Sequence, residues 1–227
     1  PEQIDRLAAI KWEQEKRAKE AAWLESFPRP SFMDDLYPRQ REVFDAGGKD
    51  KAWVAGRRTG KSIGVSRWLL DGCFEQPGSD QLYTSKTRLH AKEVLWQALL
   101  DALRDHGFTR AVGKPKTPLE YKEDNTALVL SFFNGSTVRL GGMKDKGEVD
   151  KFRGRKFFRV AVDECGAVHP GVLAYAAEEA IEPALVDWNG ESIYIGTPGL
   201  LPFGYWYDMT GPKRSMTLPV FTGTMFG

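Results

Sequence analysis

The segment that most limits what this chain can fold into is Ala52-Trp53-Val54-Ala55-Gly56-Arg57-Arg58-Thr59-Gly60-Lys61-Ser62. A short apolar run ends, a glycine-containing loop follows, and a helical pattern opens at Gly-Lys-Ser, with Ile63, Val65, Trp68 and Leu69 at helical intervals. Backbone N–H groups can wrap an anion only where glycine lets the chain come close. A helix N-terminus turns its positive end toward the same anion. In such a loop Lys61 reaches β- and γ-phosphates and the Ser62 hydroxyl ligates Mg2+. The pattern departs from G-x-x-x-x-G-K-[ST] at one place, where Ala55 replaces the first glycine and Gly56 follows it. Taken as composition alone, the segment is a basic loop that contains glycines. The strand before it and the helix after it favour the phosphate-binding reading.

Strand-like and helical runs alternate from Lys51 onward. Gln81–Ser85 reads as a strand, Thr87–His106 as a helix, Phe157–Val162 as a buried strand, Pro170–Ile181 as a helix and Ser192–Ile195 as a further strand. Alternation at this spacing predicts βαβ units and a mainly parallel sheet flanked by helices. Leu128–Phe133, Asn134-Gly135 and Thr137–Leu140 predict an inserted β-hairpin, with Asn-Gly supplying the positive φ of a two-residue turn. Residues 2–26 hold no Pro or Gly and are rich in Ala, Glu, Lys and Gln, so an N-terminal helix is expected there. Pro28, Pro30 and Pro38 then punctuate a linker. Three regions result: a helical extension over 1–30, the α/β core over 31–199, and a lid or the start of a linker over 200–227.

Composition narrows the class. Of 227 residues, 41% are hydrophobic and 28% charged, which excludes a disordered tail, a collagen-like repeat and a coiled-coil rod. No apolar run approaches the roughly 18 residues of a membrane span. No N-terminal segment reads as a signal peptide, so a cytosolic chain without a membrane partner is expected. Cys73 and Cys165 are too few for a disulfide framework, and the three histidines show no metal-ligand spacing. The net charge of +1 argues neither for nor against nucleic acid. A chain that opens on Pro1 and stops at Gly227 is expected to be a fragment.

A second chemical signal lies 102 residues after Lys61, where the apolar run Phe157–Val162 ends in Asp163-Glu164. A strand tip of this kind brings Asp163 to a Mg2+ held by Ser62. Glu164 can polarise an attacking water as general base. Alone, an apolar strand running into acidic residues is common; with the upstream loop it becomes specific.

These ordered segments resemble the N-terminal ATPase domain of the large terminase subunit of tailed bacteriophages, the motor that packages DNA into a capsid. The resemblance runs from about Leu36 to Gly199. Tyr37-Pro38-Arg39-Gln40-Arg41 is similar to the family's adenine-recognising segment, with Gln40 as its glutamine. Ala55–Ser62 resembles an arginine-containing Walker A, which implies that Gly56, Arg57, Arg58, Thr59, Gly60, Lys61 and Ser62 hold the phosphates and that Arg57 helps sense the γ-phosphate. Val160–Glu164 resembles a Walker B, and Ile195-Gly196-Thr197-Pro198 a coupling motif in which Thr197 responds to the γ-phosphate. The resemblance implies a P-loop NTPase of the ASCE/RecA-like type, with the coupling strand between the Walker A and Walker B strands, and with ATP and Mg2+ as cofactors.

Lys144–Arg159 carries seven basic and three acidic residues. An Arg-Gly just ahead of the Walker B strand is where the family can place an arginine finger that reaches a neighbouring subunit. Arg153 is the candidate and Arg155 its alternative; a solvated basic loop and a DNA contact are the other readings. The resemblance further implies double-stranded DNA, a portal protein, a small terminase subunit and other copies of the chain, as a pentameric ring, for partners. Their place of action is the host cytoplasm and the procapsid portal vertex. Too little sequence follows the coupling motif for the family's nuclease domain, so ATPase but not nuclease activity is expected. One RecA-like half of a helicase or translocase, and a non-motor nucleotide switch, are the alternatives; Glu164 weighs against the switch.

Overall fold

In the computed structural model, the described residues are 29–56, 58–197, 203–211 and 219–222, with positions 11, 12, 14, 15 and 22. The chain divides into two compact units, Pro1–Pro30 and Ser31–Gly227. Of the helix expected over 2–26, those N-terminal positions are the only described part; all are helical and exposed.

The larger unit runs α1 (Pro38–Asp45), β1 (Asp50–Val54), α2 (Lys61–Glu75), β2 (Asp80–Ser85), α3 (Arg88–Ala91), α4 (Gln97–Asp105), β3 (Thr109–Arg110), β4 (Glu120–Asp124), β5 (Val129–Phe132) and β6 (Thr137–Gly142). It continues through α5 (Lys146–Asp150), β7 (Phe157–Val162), α6 (Pro170–Tyr175), α7 (Glu182–Leu185), β8 (Glu191–Gly196), α8 (Tyr205–Thr210) and β9 (Val220–Thr222). Helix α3 runs into α4 through the π-helical Lys92–Trp96, and α6 into α7 through the π-helical Ala176–Ile181. The second π segment ends just before Glu182-Pro183, where proline supplies no N–H for the usual i−4 bond.

All the strands form one sheet in the order β3-β4-β5-β6-β2-β7-β8-β1-β9. From β6 to β9 every neighbour pair is parallel, while β4, β5 and β6 form an antiparallel meander. This is the expected mainly parallel sheet, and β8 lies between β7 and β1 as the resemblance implied. The segment after the coupling motif adds α8 and the edge strand β9. The central strands β2, β7, β8 and β1 are buried on both faces, as parallel strands between helical layers must be. Tyr83, Ala161, Ile193 and Ile195 pack toward α2 with Val65, Trp68 and Leu69. Leu82, Val160, Val162 and Tyr194 pack on the other side with Leu173, Ala176, Ile181 and Trp206. A bulge at Phe158, between the pairs Asp80↔Phe157 and Gln81↔Arg159, shifts β7 by one residue.

The hairpin forms, but its turn differs from expectation. The Phe132 N–H donates to Ser136 O (2.9 Å) and the Gly135 N–H to Phe132 O (3.1 Å), so the loop has three residues and not two. Of the Asn-Gly pair, Gly135 alone has positive φ, at 85°. A three-residue loop with glycine at its left-handed position needs φ > 0 only there. Asn134 is used through its side chain instead, accepting from Ser136 N–H at 3.0 Å and donating to Cys73 O at 2.7 Å.

At the ends of the parallel strands where they enter the sheet, charges are buried. Arg159 on β7 donates to Trp68 O (2.6 Å) and Asp71 Oδ2 (3.1 Å) of α2 and pairs with Glu75. Its Nε lies 3.4 Å from Glu191 Oε1 on β8, and Glu191 in turn pairs with the buried Lys51 of β1.

Gly190, which turns the chain into β8, is held against β7: a Cβ there would lie 2.5 Å from Phe158 O. Gly190→Ala is therefore expected to lower unfolding free energy by about 2 kcal/mol, the range of an overpacked core site. Gly113→Ala, with open space around it, should stay within about 0.5 kcal/mol of the parent. Urea denaturation of both variants checks the contrast, and equal midpoints would contradict the close approach.

Candidate functional site

The phosphate-type loop leaves β1 at Ala55, whose N–H donates to Gly196 O (3.1 Å) at the tip of β8. This bond carries the β1–β8 pairing one residue past Val54. Ala55 still follows the strand line, and its methyl is buried in the core. At the loop's far end Gly60 caps α2 with φ 75°, and Arg58 also has positive φ, at 63°. Thr59 Oγ1 donates to Gly56 O (3.0 Å). The Lys61 ammonium donates to Ala55 O (2.9 Å) and Gly56 O (2.6 Å), so it sits inside the loop it closes. Burial holds its pKa below the ordinary lysine value, with Asp163 and Glu164 pulling the other way. Ser62 is half-buried at the first turn of α2. Arg57 lies outside the described residues.

Gln40 ties the loop to the element before it. Its Oε1 accepts the Tyr37 N–H (3.1 Å), closing a capping box at the start of α1, and its Nε2 donates to Gly60 O (2.9 Å). Both ends of the amide are thus engaged by the main chain, and the residue is only 2% exposed. The adenine recognition expected of Gln40 therefore competes with two bonds already made.

Asp163 follows the last residue of β7, and its side chain is buried. Oδ1 accepts the Glu164 N–H (2.7 Å) and Oδ2 accepts the Tyr83 hydroxyl (2.6 Å). Glu164 is half-buried and left-handed, with φ 57°. Holding a non-glycine residue there costs on the order of 1–3 kcal/mol, and such strain clusters at functional sites. Its carbonyl accepts the Ala167 and Val168 N–H groups, which fixes the turn. The next residue, Cys165, is a buried free thiol whose pKa burial pushes well up, with the neighbouring Asp163 adding to the rise. It is packing and not a nucleophile.

Thr197 directly follows β8, and its carbonyl accepts the Trp206 Nε1–H of α8 (3.2 Å). A Cβ on Gly196 would meet the Trp206 ring at 3.0 Å and Gly166 N at 3.2 Å, so the tips of β7 and β8 are closely packed there. Arg153 stands elsewhere. Its Nη1 donates to the Tyr175 hydroxyl (2.9 Å) and lies 3.5 Å from Asp150, with Glu179 at 4.0 Å. Arg155 is exposed and its Nε donates to Lys151 O at 3.3 Å.

The structure thus gathers Gly56, Thr59, Gly60, Lys61, Asp163, Glu164 and Thr197 at the exit ends of β1, β7 and β8, with Gln40 braced on Gly60. The hydroxyl of Ser62 and the carboxylate of Asp163 are hard oxygen donors of the kind Mg2+ takes, together with substrate phosphates. Among the described residues no cluster of three or more His, Cys, Asp or Glu side chains could hold a metal alone. A metal that arrives with a phosphate needs none. Two members escaped the sequence reading, Tyr83 and Trp206. For Tyr83 a signal existed: a tyrosine in a buried parallel strand needs a partner for its hydroxyl.

A model of the family described as "Terminase large subunit, T4likevirus-type, N-terminal" matches residues 53–196. No curated protein sequence matches the chain. Among solved structures, the large terminase ATPase domain of Thermus phage P74-26 superposes with a TM-score of 0.62 at 18% identity, over 82% of this chain and 80% of that one. The large terminase of a thermophilic bacteriophage in complex with ADP gives 0.62 at 16% identity, over 84% of this chain. This chain spans 46% of that protein's length. The N-terminal domain of the DNA packaging ATPase from bacteriophage phi29 gives 0.54 at 8% identity, over 83% and 95%. At these identities the superpositions establish a shared fold.

Replacing Gln40 by Leu would leave the part-buried Tyr37 N–H without its acceptor and the Gly60 carbonyl with the Gly64 N–H alone. An unsatisfied buried backbone group costs about 1–3 kcal/mol. Gln40→Leu is expected to lose about 2 kcal/mol in urea unfolding without any ligand present. A variant as stable as the parent would mean that solvent serves both groups equally well.

Proposed function

This chain belongs to the terminase large-subunit family, matching its N-terminal region, and we propose that it is an ATP-hydrolysing motor domain that drives double-stranded viral DNA into a procapsid. The observation that carries the reading is the pairing of a Lys61 loop with a strained, strand-tip Asp163-Glu164 across the inserted strand β8. A nucleotide-binding switch gains little from the second carboxylate, whereas a hydrolase needs a base.

In this reading Gln40 exchanges its bonds to the Tyr37 N–H and the Gly60 carbonyl for the adenine edge. The N–H groups of Gly56 to Gly60 and the N-terminus of α2 wrap the phosphates, and Lys61 turns from the loop carbonyls to the β- and γ-oxygens. Ser62 and Asp163 would hold Mg2+, which when bound neutralises charge on those oxygens. Glu164 takes a proton from the water that attacks the γ-phosphorus in line, while the bond to the ADP oxygen breaks. Arg57 and Thr197 respond to whether the γ-phosphate is present. Thr197 can relay that state through the Trp206 bond to α8.

The finer assembly rests on the family. Arg153, or Arg155 beside it, would reach a neighbour's γ-phosphate, an interaction worth on the order of 10³–10⁵ in rate. Within its own chain Arg153 is held by Tyr175 and Asp150, so it must leave them to serve a neighbour. The assembly proposed is a pentameric ring on a portal protein, with double-stranded DNA and a small terminase subunit as further partners, in the host cytoplasm and at the procapsid vertex. Residues 1–30 would be a helical extension, 31–199 the ATPase core and 200–227 a lid or the start of a linker to a C-terminal nuclease domain. No helix among the described residues is long and apolar enough to cross a membrane.

Steady-state ATP turnover across protein concentrations, with and without double-stranded DNA, tests the proposal. Glu164→Gln should keep ATP bound and lower turnover by about 10²–10⁴-fold, the usual contribution of a positioned base. Turnover should rise more than linearly with concentration and be stimulated by DNA. Persistent hydrolysis in Glu164→Gln would require another base, and DNA-indifferent turnover would oppose translocation. Lys61→Ala should abolish ATP binding by calorimetry; unchanged affinity would remove the phosphate loop from the account.

A further inference from the structure

Tyr83 lies on β2, one strand over from the Asp163-Glu164 tip, and is fully buried. The register pairs Tyr83 with Ala161 and Thr84 with Val162. Asp163 is two residues past Ala161, so Tyr83 and Asp163 project from the same face of the sheet, the face covered by α2. The Asp163 N–H also donates to Thr84 O (2.8 Å), which extends the β2–β7 pairing by one residue and fixes the aspartate backbone. From there the Tyr83 hydroxyl donates to Asp163 Oδ2 at 2.6 Å while the Glu164 N–H donates to Oδ1 at 2.7 Å. Each carboxylate oxygen is therefore oriented by one donor.

We propose that Tyr83 is the positioning residue of the metal site: its hydroxyl sets the carboxylate plane of Asp163 so that the remaining lone pairs face the Ser62 side of the phosphate loop. The inference rests on the proposed nucleotide reading. Its physical basis is the competition around Asp163. The Lys61 ammonium is attracted to this carboxylate, and an aspartate held by a single N–H could rotate toward it. A second donor on the other oxygen opposes that rotation. Burial, reinforced by the adjacent Asp163 charge, pushes the Tyr83 pKa well up. Substitution by phenylalanine deletes the donor and keeps the ring that fills the core under α2. Outer-shell partners of metal ligands matter for this reason, and their loss typically costs about 10–100-fold in metal affinity.

The test is a titration of a fluorescent ATP analogue, in EDTA and then in rising Mg2+, on the parent, Tyr83→Phe, Asp163→Asn and the double variant. Tyr83→Phe is expected to raise the half-saturating Mg2+ concentration about 10-fold while leaving affinity in EDTA unchanged. In the Asp163→Asn background, adding Tyr83→Phe should change neither quantity. A purely structural role for Tyr83 would shift melting temperature and EDTA affinity and spare the Mg2+ response, which would overturn the proposal. Tyr83→Met deletes the hydroxyl with a different shape. Loss of the Mg2+ response in both variants assigns it to the donor, whereas loss in Tyr83→Met alone overturns the proposal. A parent that fails to bind the analogue would overturn the underlying nucleotide reading as well, and one whose binding ignores Mg2+ would overturn the metal assignment together with the Tyr83 role. A Mg2+-dependent parent with an unaffected Tyr83→Phe would overturn the Tyr83 role alone.

Discussion

Arg159 is the interaction on which the rest of the structure leans. A guanidinium on a central strand can be buried only if carboxylates and carbonyls surround it, and α2 supplies Trp68 O, Asp71 and Glu75 while β8 supplies Glu191. Removing one partner of such a buried group costs about 3–5 kcal/mol, far more than a surface pair. Glu191 passes the constraint on to Lys51 of β1. One charge cluster thus joins three strands and a helix at the end of the sheet away from the loop. Even Gly72 belongs to it, since a Cβ there would lie 2.7 Å from Arg159 Cδ. With α2 locked to β7 in this way, the position of Lys61 relative to Asp163 is decided by rigid elements.

At the opposite end of the same elements, order comes from main-chain contacts. The Ala55 N–H reaches the tip of β8, Gln40 braces Gly60, and Trp206 closes over Gly196 and Thr197. Each joins a loop to a rigid element, so the loop carries the chemistry while the sheet sets its geometry. The left-handed Glu164 is the exception, a residue held in an unfavourable conformation by hydrogen bonds on both sides.

Much of this was legible in the sequence because the signals were local. The loop at Ala55–Ser62 carries glycine and charge between an apolar run and a helical pattern, the tip at Asp163-Glu164 carries two charges after an apolar run, and β7 runs over Phe157–Val162 as that run implied. The hairpin was legible as a hairpin, yet its loop length was not. Asn134 could serve through its backbone or its side chain, and the choice depended on Cys73, which is distant in sequence. Tyr83 was hidden for the same reason: its role exists only in the β2–β7 register. Strand β4 and the edge strand β9 were missed because Glu120–Asp124 is polar and nowhere fully buried and Val220–Thr222 is too short to show a period.

The sheet order also dictates when the loop can become useful during synthesis. Strand β1 is made well before its partners β8 and β9, with Asp50 paired to Ser192 and Ala52 to Val220. Pairings so far apart in sequence are slow to close, and ribosomes add only about 5–20 residues per second. Through that interval the Lys61 loop has no neighbouring strand to hold Ala55, and Trp53 has no sheet to cover it. A chain that is still emerging is therefore unable to present the assembled site. The assembled site waits until β1 is enclosed between β8 and β9, strands that the ribosome releases about 140 and about 170 residues later.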